Sequence, residues 1–217
     1  YLGTRGTFEE GYPGNSPSTL VHGIYDHAPS MLVPELANAP NWLPVAITID
    51  GTPFQLVTAA DDVMRPVHGL VFGYERTLDL QRGILRREVL FRAASGSVTR
   101  LVFERFASLH NPHLLAQRIH LVAVDGNPVI QLHAYLDAAV MNSTGQHWAA
   151  PTPAYANDHG FGLAAETLQS GYALGMASRL IGPGAIIPAP HPTQPGASTQ
   201  FTLPQEEAIT FDKLTAI

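Results

Sequence analysis

The stretch that decides the fold is VIQLHAYLDA, residues 129–138, in which apolar and polar side chains alternate. One set is Ile130, Leu132, Ala134, Leu136 and Ala138, and the other is Val129, Gln131, His133, Tyr135 and Asp137. Successive residues of a strand point to opposite faces, so this alternation predicts a strand with one buried face. A shift by one residue would bury Gln, His and Asp side chains, which fixes the register. We therefore expect a central strand with Ile130, Leu132 and Leu136 buried between two sheets.

Strand patterns recur on both sides of this segment. Residues 45–49 alternate, and Asp50-Gly51 is a hairpin turn dipeptide that leads into a return strand at 54–57. Residues 98–107 carry apolar groups on both parities, which predicts a strand covered on both faces for part of its length. The other predicted strands lie at about 85–92, 114–124, 161–169, 172–181, 199–203 and 208–216.

The remaining segments lack a regular period. Residues 1–44 are predicted as extended loop with short strands, and residues 59–70 and 142–160 as irregular connections. Residues 183–197 contain five prolines, which argues against regular structure there. No ten-residue segment has a convincing 3.6-residue period. Many short strands between turn signals predict an all-β protein, a large antiparallel β-sandwich formed by residues 1–217 as one domain.

Composition limits the function classes. The net charge of −6 argues against nucleic acid and anionic membrane surfaces as partners. The chain has no cysteine, which excludes disulfides and thiolate metal sites. Charged residues make up 14% of the chain, against a usual share of roughly 25%, and so sparse a charged surface fits a domain partly covered by another. No signal peptide or membrane-spanning run is visible, and we expect a cytoplasmic location.

The first twelve residues, YLGTRGTFEEGY, combine three glycines, three aromatics and two adjacent carboxylates. Such a mixture suits a loop or short strand that approaches another surface closely. The ordinary interpretation of Glu9 and Glu10 is a solvated turn. Because neighbours in an extended strand point to opposite sides, at most one of the two carboxylates is expected to face a given pocket.

A series of short motifs follows in order: HGIYD at 22–26, EL at 35–36, PNWLP at 40–44, LDL at 78–80, GILRR at 83–87 and FERFAS at 103–108. Together with the first residues, this series resembles the N-terminal domain of glycoside hydrolase family 65. That family contains maltose, trehalose and kojibiose phosphorylases and some acid trehalases. The resemblance thins beyond about residue 140, and FDKL at 211–214 looks like the point where the family's chain leaves this domain.

The resemblance implies a galactose mutarotase-like supersandwich in a longer enzyme. It implies inverting cleavage of an α-linked glucose disaccharide, with a Glu as general acid and attack by inorganic phosphate or by activated water. Those residues would lie in an (α/α)6 barrel expected after residue 217, so no catalytic residue, metal or cofactor is assigned here. The implied partners are this barrel, the disaccharide and a second copy in a homodimer, with inorganic phosphate as co-substrate of a phosphorylase.

We expect this domain to pack on the barrel and shape the rim of its pocket. The contact is predicted within residues 1–44, because loops with no core to fill usually hold function or an interface and aromatics are typical interface anchors. An exposed apolar patch is expected there. Trp42 and Trp148 are likewise expected to pack against another domain rather than to stack on sugars. The predicted rim or interface residues are Phe8, Glu9, Glu10, Tyr12, Tyr25 and Trp42.

Two other functions remain open from the residues alone. An aldose 1-epimerase would need a His acid and a Glu base on one sheet face, for which His133 and Glu104 are the candidates. A sugar-binding module would use a polar row on the outer face beside His133. His110 and His113 are not expected to bind a metal, since a proline separates them, and the adjacent Asp61-Asp62 pair is not expected to be catalytic.

Overall fold

Antiparallel strands make up all the regular structure of the part of the chain that the structure describes. The computed structural model describes residues 2–5, 8–10, 17–28, 31–58, 64–152 and 154–217, and no helix occurs among them. The predicted all-β class is confirmed. No helix in this described part is long and apolar enough to span a membrane.

Eighteen strands follow one another within these described ranges. They are β1 (Leu2–Arg5), β2 (Ser18–Asp26), β3 (Glu35–Ala39), β4 (Val45–Ile49), β5 (Thr52–Pro53), β6 (Leu56–Thr58), β7 (Met64–Pro66), β8 (Leu70–Asp79), β9 (Ile84–Arg92), β10 (Val98–Ala107), β11 (Leu114–Asp125), β12 (Val129–Tyr135), β13 (Ala154–Asn157), β14 (Gly160–Glu166), β15 (Ala173–Ile181), β16 (Ile187–Ala189), β17 (Gly196–Thr202) and β18 (Ala208–Ala216).

Two large sheets form the sandwich. An eight-stranded sheet has the order β13-β14-β15-β18-β11-β10-β9-β8, and a five-stranded sheet has the order β16-β17-β12-β4-β5. The side chains between them form one hydrophobic core, to which nearly every strand of both sheets contributes. A three-stranded sheet, β1-β2-β3, and a two-stranded ribbon, β6-β7, complete the fold.

Strand β12 lies at the centre of the five-stranded sheet, as its alternation predicts. Ile130, Leu132 and Leu136 are at most 1% exposed, so the predicted buried face is confirmed. The regular strand ends at Tyr135 rather than at residue 138. Beyond it, Asp137 pairs with Asn41 in an isolated bridge, which joins this strand to the N-terminal region.

The Asp50-Gly51 turn is confirmed. Both residues have positive φ, 49° and 73°, as a two-residue hairpin turn requires. The Asp50 carboxylate accepts hydrogen bonds from the hydroxyls of Ser95 and Ser97 and from the backbone N–H of Val129. Burial alone would raise the pKa of Asp50, but these hydrogen bonds lower it, so the turn is anchored by an ionised group.

Three segments predicted as irregular contain strands. The proline-rich segment holds β16, and its Pro188 is tolerated because β16 is the edge of its sheet and needs no donor on its open side. The segment 142–160 holds the edge strand β13, and β7 lies within 59–70, of which 59–63 are outside the described residues.

The N-terminal region has more regular structure than its composition predicts. Strands β1, β2 and β3 pair in sequence, and β2 is nine residues long. A second small core lies where this sheet packs, and it consists of Ala37, Ala39, Val140, Trp148, Ala165 and Leu174. The region therefore has a core of its own to fill, which the prediction of loops without a core missed.

Both tryptophans pack inside this domain, so the expectation that they pack against another domain is wrong. Trp42 is completely buried in the main core. Trp148 lies in the second core, where its Nε1 donates to the backbone carbonyl of Asn38 at 2.7 Å. Each indole fills an interior gap next to a proline-containing segment, a position that cannot be distinguished from an interface by sequence alone.

A buried lysine ties the two large sheets together. Lys213 of β18 is fully buried, and its Nζ donates to the carbonyl oxygens of Trp42, Pro44 and Tyr135 at 2.5, 3.2 and 2.7 Å. These acceptors belong to β12 and to the segment that enters β4, opposite β18. Burial lowers the pKa of Lys213 well below its ordinary value. Three acceptors match the three donors of an ammonium group, so the lysine acts as a polar cross-link.

Candidate functional site

The candidate site is a buried cluster of charges where the N-terminal segment meets β9. Phe8, Glu9 and Glu10 form a turn, and both carboxylates reach the guanidinium of Arg87. Glu9 Oε2 lies 2.7 Å and Glu10 Oε2 2.5 Å from Arg87 Nη2, while Arg87 Nη1 donates to Glu10 Oε1 at 2.8 Å. Glu10 thus binds the guanidinium through two parallel hydrogen bonds, the strongest geometry available to this pair.

A second arginine closes the cluster. Arg105 Nη1 of β10 donates to Glu9 Oε1 at 3.2 Å. The four charged side chains are between 2% and 5% exposed, and their formal charges sum to zero. A buried charge is tolerated only when it is paired and hydrogen-bonded, and here each has an opposite partner.

Aromatic rings enclose the Arg87 guanidinium. Its Cζ lies 4.6 Å from the ring centre of Phe8 and 4.5 Å from that of Phe103, with Phe54 farther away at 5.7 Å. Rings at these distances attract a cation through their π-face and also exclude water. Phe8 is therefore one of the rings around the Arg87 guanidinium as well as a buried apolar residue, and it links the N-terminal segment to the sandwich.

The two arginines enter the interior because of their strand parity. Arg87 shares the inward face of β9 with Val89 and Phe91, and Arg105 shares that of β10 with Leu101 and Phe103. The register places Phe103 opposite Arg87 across the two strands. The sheet thus brings two cations to one inner region, and the N-terminal segment supplies two carboxylates.

The electrostatics of the cluster follow from burial and pairing. Burial raises the pKa of Glu10, and the opposing effect of Arg87 only partly offsets it. Burial alone would lower the pKa of Arg87, but Glu9 and Glu10 raise it above its ordinary value. Burial lowers the pKa of Arg105. Arg87 is thus held as a permanent cation that fixes both carboxylates.

Two expectations about the glutamates are wrong. They do not lie in a solvated turn, since their side chains are 5% and 2% exposed. Both face the same partner, because residues 9 and 10 form a turn rather than an extended strand and the rule of opposite faces does not apply. Because they bind one nitrogen atom, they lie closer together than the roughly 6.5–9.5 Å that an inverting acid/base pair needs.

Strand β8 leaves an exposed rim beside this cluster. Tyr74, Arg76 and Leu78 pair with Val89, Arg87 and Leu85 of β9, so they share the face of the buried arginines. Tyr74 meets Phe8 edge-on at 6.5 Å between ring centroids, and Arg76 lies 5.6 Å from the same ring. Tyr74 and Leu78 are nevertheless 44% and 57% exposed, which makes this a mixed aromatic and charged surface.

The other predicted interface residues differ in their exposure to solvent. Tyr25 is 46% exposed, whereas Phe8 and Trp42 are buried and present no anchor at the surface. Tyr12 lies outside the described residues. Among the described residues of the N-terminal region, the exposed large apolar side chains are Tyr25 of β2 and Met31, Leu32 and Val33 of the β2–β3 connection. Whether this region contacts another domain stays a prediction.

A histidine between two carboxylates holds this N-terminal sheet to the rest of the domain. His147 Nδ1 lies 3.2 Å from Asp26 Oδ2, and its Nε2 lies 2.9 Å from Glu35 Oε1. Asp26 also accepts the backbone N–H groups of Gln169 and Ser170. Burial alone would raise the pKa of Asp26, but the hydrogen bonds from Ser170, His147 and Gln169 lower it. Burial alone would also raise the pKa of Glu35, but the hydrogen bond with Asn142 and the contact with His147 lower it.

The remaining candidates are separated by the fold. His133 projects from the outer face of the five-stranded sheet and Glu104 from the outer face of the eight-stranded sheet, so they do not converge as an epimerase pair. His113 Nδ1 lies 2.9 Å from the backbone oxygen of Ile217. Asp61-Asp62 lies outside the described residues.

Sequence reasoning missed the buried Arg87, Arg105, His147 and Lys213. For Arg87, Arg105 and Lys213 a signal existed, because each has the same parity as buried apolar residues of its strand. A charged residue at an inward parity predicts a buried partner of opposite charge or a set of carbonyls. His147 had no comparable signal, since it lies in a loop and its partners are 121 and 112 residues away.

Comparison with known proteins identifies the family. The N-terminal domain of glycosyl hydrolase family 65 matches residues 1–217, and the chain belongs to this family. The predicted membership and the all-β double sheet are thus confirmed.

Several curated relatives are similar to this chain. An uncharacterised glycosyl hydrolase of Mycobacterium tuberculosis is 29% identical over 240 residues, covering 100% of this chain and 17% of the relative. Kojibiose phosphorylase of Halothermothrix orenii is 32% identical over 148 residues, covering 68% of this chain and 18% of the relative. Maltose phosphorylase of Bacillus subtilis is 30% identical over 185 residues, covering 78% and 23%. The chain therefore spans less than a quarter of these relatives.

A solved structure shares the fold. It is a human-microbiome protein assigned as a kojibiose phosphorylase, with a TM-score of 0.84 and 17% identity. The match covers 100% of this chain and 28% of that protein. The relatives thus carry this domain next to a much larger remainder.

Proposed function

We propose that this chain is the non-catalytic N-terminal domain of an inverting α-glucoside phosphorylase or hydrolase. The family membership supports the enzyme class, and the kojibiose, maltose and trehalose phosphorylases among its relatives support a disaccharide of α-linked glucose as substrate. A general acid would protonate the leaving oxygen while phosphate, or activated water, attacks from the opposite face. Both groups would belong to the catalytic domain.

The role of this domain would be to pack on the catalytic domain and shape the rim of its pocket. The observation that carries the proposal is the fixed N-terminal segment. Two salt-bridged carboxylates and a buried aromatic ring hold residues 8–10 against the sandwich, and their neighbours on β8 remain exposed. Such rigid support of a surface with exposed aromatics is typical of an interface.

The buried residues position the surface and the exposed ones would make the contact. Phe8, Glu9 and Glu10 hold the segment in place, and Trp42 fills part of the main core. Contact would fall to the exposed Tyr74 and Leu78 of β8 and, on the N-terminal sheet, to Tyr25 and to Leu32, which is 95% exposed. An exposed leucine in a short connection has no role in this domain's own core, so a covering surface is its simplest use.

The test uses the full-length protein that carries this domain. Leu32→Asp should weaken the association between domains, measured by limited proteolysis, and should lower phosphorolysis or hydrolysis of kojibiose and maltose. Leu109→Asp is the matched control, because Leu109 is 88% exposed and lies in the β10–β11 connection of the eight-stranded sheet, outside the N-terminal sheet. Equal behaviour of the two variants would place the interface elsewhere.

A second measurement addresses the non-catalytic role. Residues 1–217 alone should show no turnover of kojibiose, maltose or trehalose, with or without phosphate, while the full-length protein should be active on one of them. Turnover by the domain alone would overturn the proposal.

A further inference from the structure

The outer face of the five-stranded sheet contains a groove that the proposed function does not use. The groove encloses about 310 Å³, at the lower end of the roughly 300–1,000 Å³ typical of small-molecule sites. Two cross-strand rows form its floor. The first row is Ala46, His133, Ser198 and Ile187, and the second is Thr48, Gln131 and Gln200.

The concave shape follows from the side chains in the first row. Ala46 and Ser198 are small and lie on either side of His133, which leaves space above the sheet. Ile187 of the edge strand β16 stands 62% exposed and forms a wall. The groove is therefore built by alternating small and large residues across four strands.

Two rings stack on each other at one end of the groove, which His133 lines and Tyr135 backs. The imidazole of His133 and the phenol ring of Tyr135 stack, with centroids 5.0 Å apart and planes inclined by 16°. Gly196, opposite Tyr135, makes this possible, since a Cβ there would lie 2.8 Å from His133 Cε1 and 2.8 Å from Tyr135 Cβ. His133 Nδ1 is held 2.8 Å from Ser198 Oγ, which fixes the ring.

The second row presents oriented amides. Thr48 Oγ1 donates to Gln131 Oε1 at 3.0 Å, and Gln131 Nε2 donates to Gln200 Oε1 at 3.0 Å. An amide nitrogen carries two hydrogens, so each glutamine keeps donor capacity after these bonds. The relay fixes which end of each amide is the donor and which is the acceptor, and it does so on an exposed surface where such order costs side-chain entropy.

The groove has no fixed charge. Its lining contains no Asp, Glu, Lys or Arg. Burial, followed by the charge of Lys213, lowers the pKa of His133, so the imidazole is neutral near pH 7. A phosphate or carboxylate ligand would find no cation there, and a cationic ligand would find no carboxylate.

We propose that this groove binds a neutral saccharide, with one sugar ring against the His133 imidazole, which Tyr135 backs from the other side, and its hydroxyls on the Thr48–Gln131–Gln200 row. Sugar hydroxyls are both donors and acceptors, which matches oriented amides, and the C–H face of a pyranose matches a flat ring. The inference rests on the proposed function only for the choice of sugar, which is α-linked glucose, and a chain of that sugar serves as the probe. The groove would retain a longer glucan on the enzyme, apart from the pocket that cleaves it.

The experiment measures retardation of the full-length protein in native gels that contain soluble amylose, without phosphate. The wild-type protein should be retarded, and Gln131→Ala and His133→Ala should each weaken the apparent affinity at least fivefold. Ala46→Tyr tests the groove by filling it. Ala46 is exposed, and tyrosine suits a strand, so this variant should fold and lose retardation.

His120→Ala is the matched control. His120 lies on the outer face of the eight-stranded sheet, and its Nδ1 lies 2.9 Å from Thr210 Oγ1, the same pairing that His133 makes with Ser198. It should be retarded like the wild type. The proposed saccharide site would be refuted if the wild-type protein is not retarded. It would also be refuted if all three groove variants are retarded as strongly as the His120→Ala control.

The amylose gel and the turnover assay give independent results. An active enzyme whose groove variants bind amylose normally would refute the groove and leave the proposed function intact. A protein that binds amylose through the groove but cleaves no disaccharide would refute the proposed function alone.

Discussion

Two inward-facing regions of the sandwich, the core around β12 and the cluster around Arg87, are buried in different ways: the first by apolar packing and the second by pairing of opposite charges. Leu132 is 1% exposed and is surrounded by apolar residues of both sheets. Arg87 is 2% exposed and is surrounded by two carboxylates and three aromatic rings. Apolar burial holds the first region, and charge neutralisation by a distant segment completes the second.

The difference explains how the N-terminal segment is held. An apolar core gains free energy from each buried surface, whichever apolar partner supplies it. A buried guanidinium is tolerated only beside partners that neutralise it. Residues 8–10 are therefore held on β9 and β10 by the charge of their side chains as well as by their shape.

The largest expected effect comes from Arg87→Ala. It would leave Glu9 and Glu10 buried without their main partner, and breaking a buried ion pair costs roughly 3–5 kcal/mol. Urea unfolding followed by circular dichroism should show this loss in the free energy of unfolding.

Arg118→Ala is the matched control for this variant. Arg118 also lies on a strand and binds a carboxylate, Asp212 at 2.8 Å, but its side chain is 56% exposed. Exposed ion pairs contribute about 0–1 kcal/mol, so this variant should be close to wild type. A similar small effect for Arg87→Ala would mean that the cluster is hydrated and not part of the interior.

Leu132→Ala gives the next largest effect. It should cost roughly 2–5 kcal/mol, because it removes buried apolar surface and leaves a cavity between the sheets. The same urea titration measures it. A loss below about 0.5 kcal/mol, the level of an exposed site, would show that the inner and outer faces of β12 are assigned wrongly.

The sequence predicted the first region well and the second poorly. The alternation of β12 and the Asp50-Gly51 turn fix strand faces through local chemistry, so the sandwich and Leu132 could be predicted. The cluster depends on pairing between residues 77 and 96 positions apart, which no local period encodes. Arg87 has the parity of a core residue, but a polar residue at that parity does not reveal which segment neutralises it.

The smallest expected effect comes from Asp26→Asn. Asp26 helps to hold the N-terminal sheet to the rest of the domain through its contacts with other segments. Asp26→Asn keeps an oxygen that can accept the N–H groups of Gln169 and Ser170, so it removes mainly the charge that faces His147. Near neutral pH the variant should lose about 1.5–2 kcal/mol, the lower part of the range for hydrogen bonds to charged groups. That corresponds to a melting temperature lower by about 3–8 °C for a domain of this size.

The effect of Asp26→Asn on the melting temperature should depend on pH in a definite direction. The pKa of Asp26 is held below its ordinary value of 3.8 in the folded protein, so its carboxylate contributes stability that is fully present above that value. As the pH falls through the folded pKa, the wild-type protein loses this contribution, and the asparagine variant has none to lose. The difference in melting temperature between the two proteins should therefore be largest near neutral pH and should shrink as the pH falls below 3.8 and through the lower folded-state pKa. Asp158→Asn, at an exposed turn, should differ little from wild type at any pH. A difference for Asp26→Asn that stays constant from neutral to acid pH would mean that its carboxylate is not an ionised partner of His147, and that hydrogen bonds to neutral groups hold this sheet.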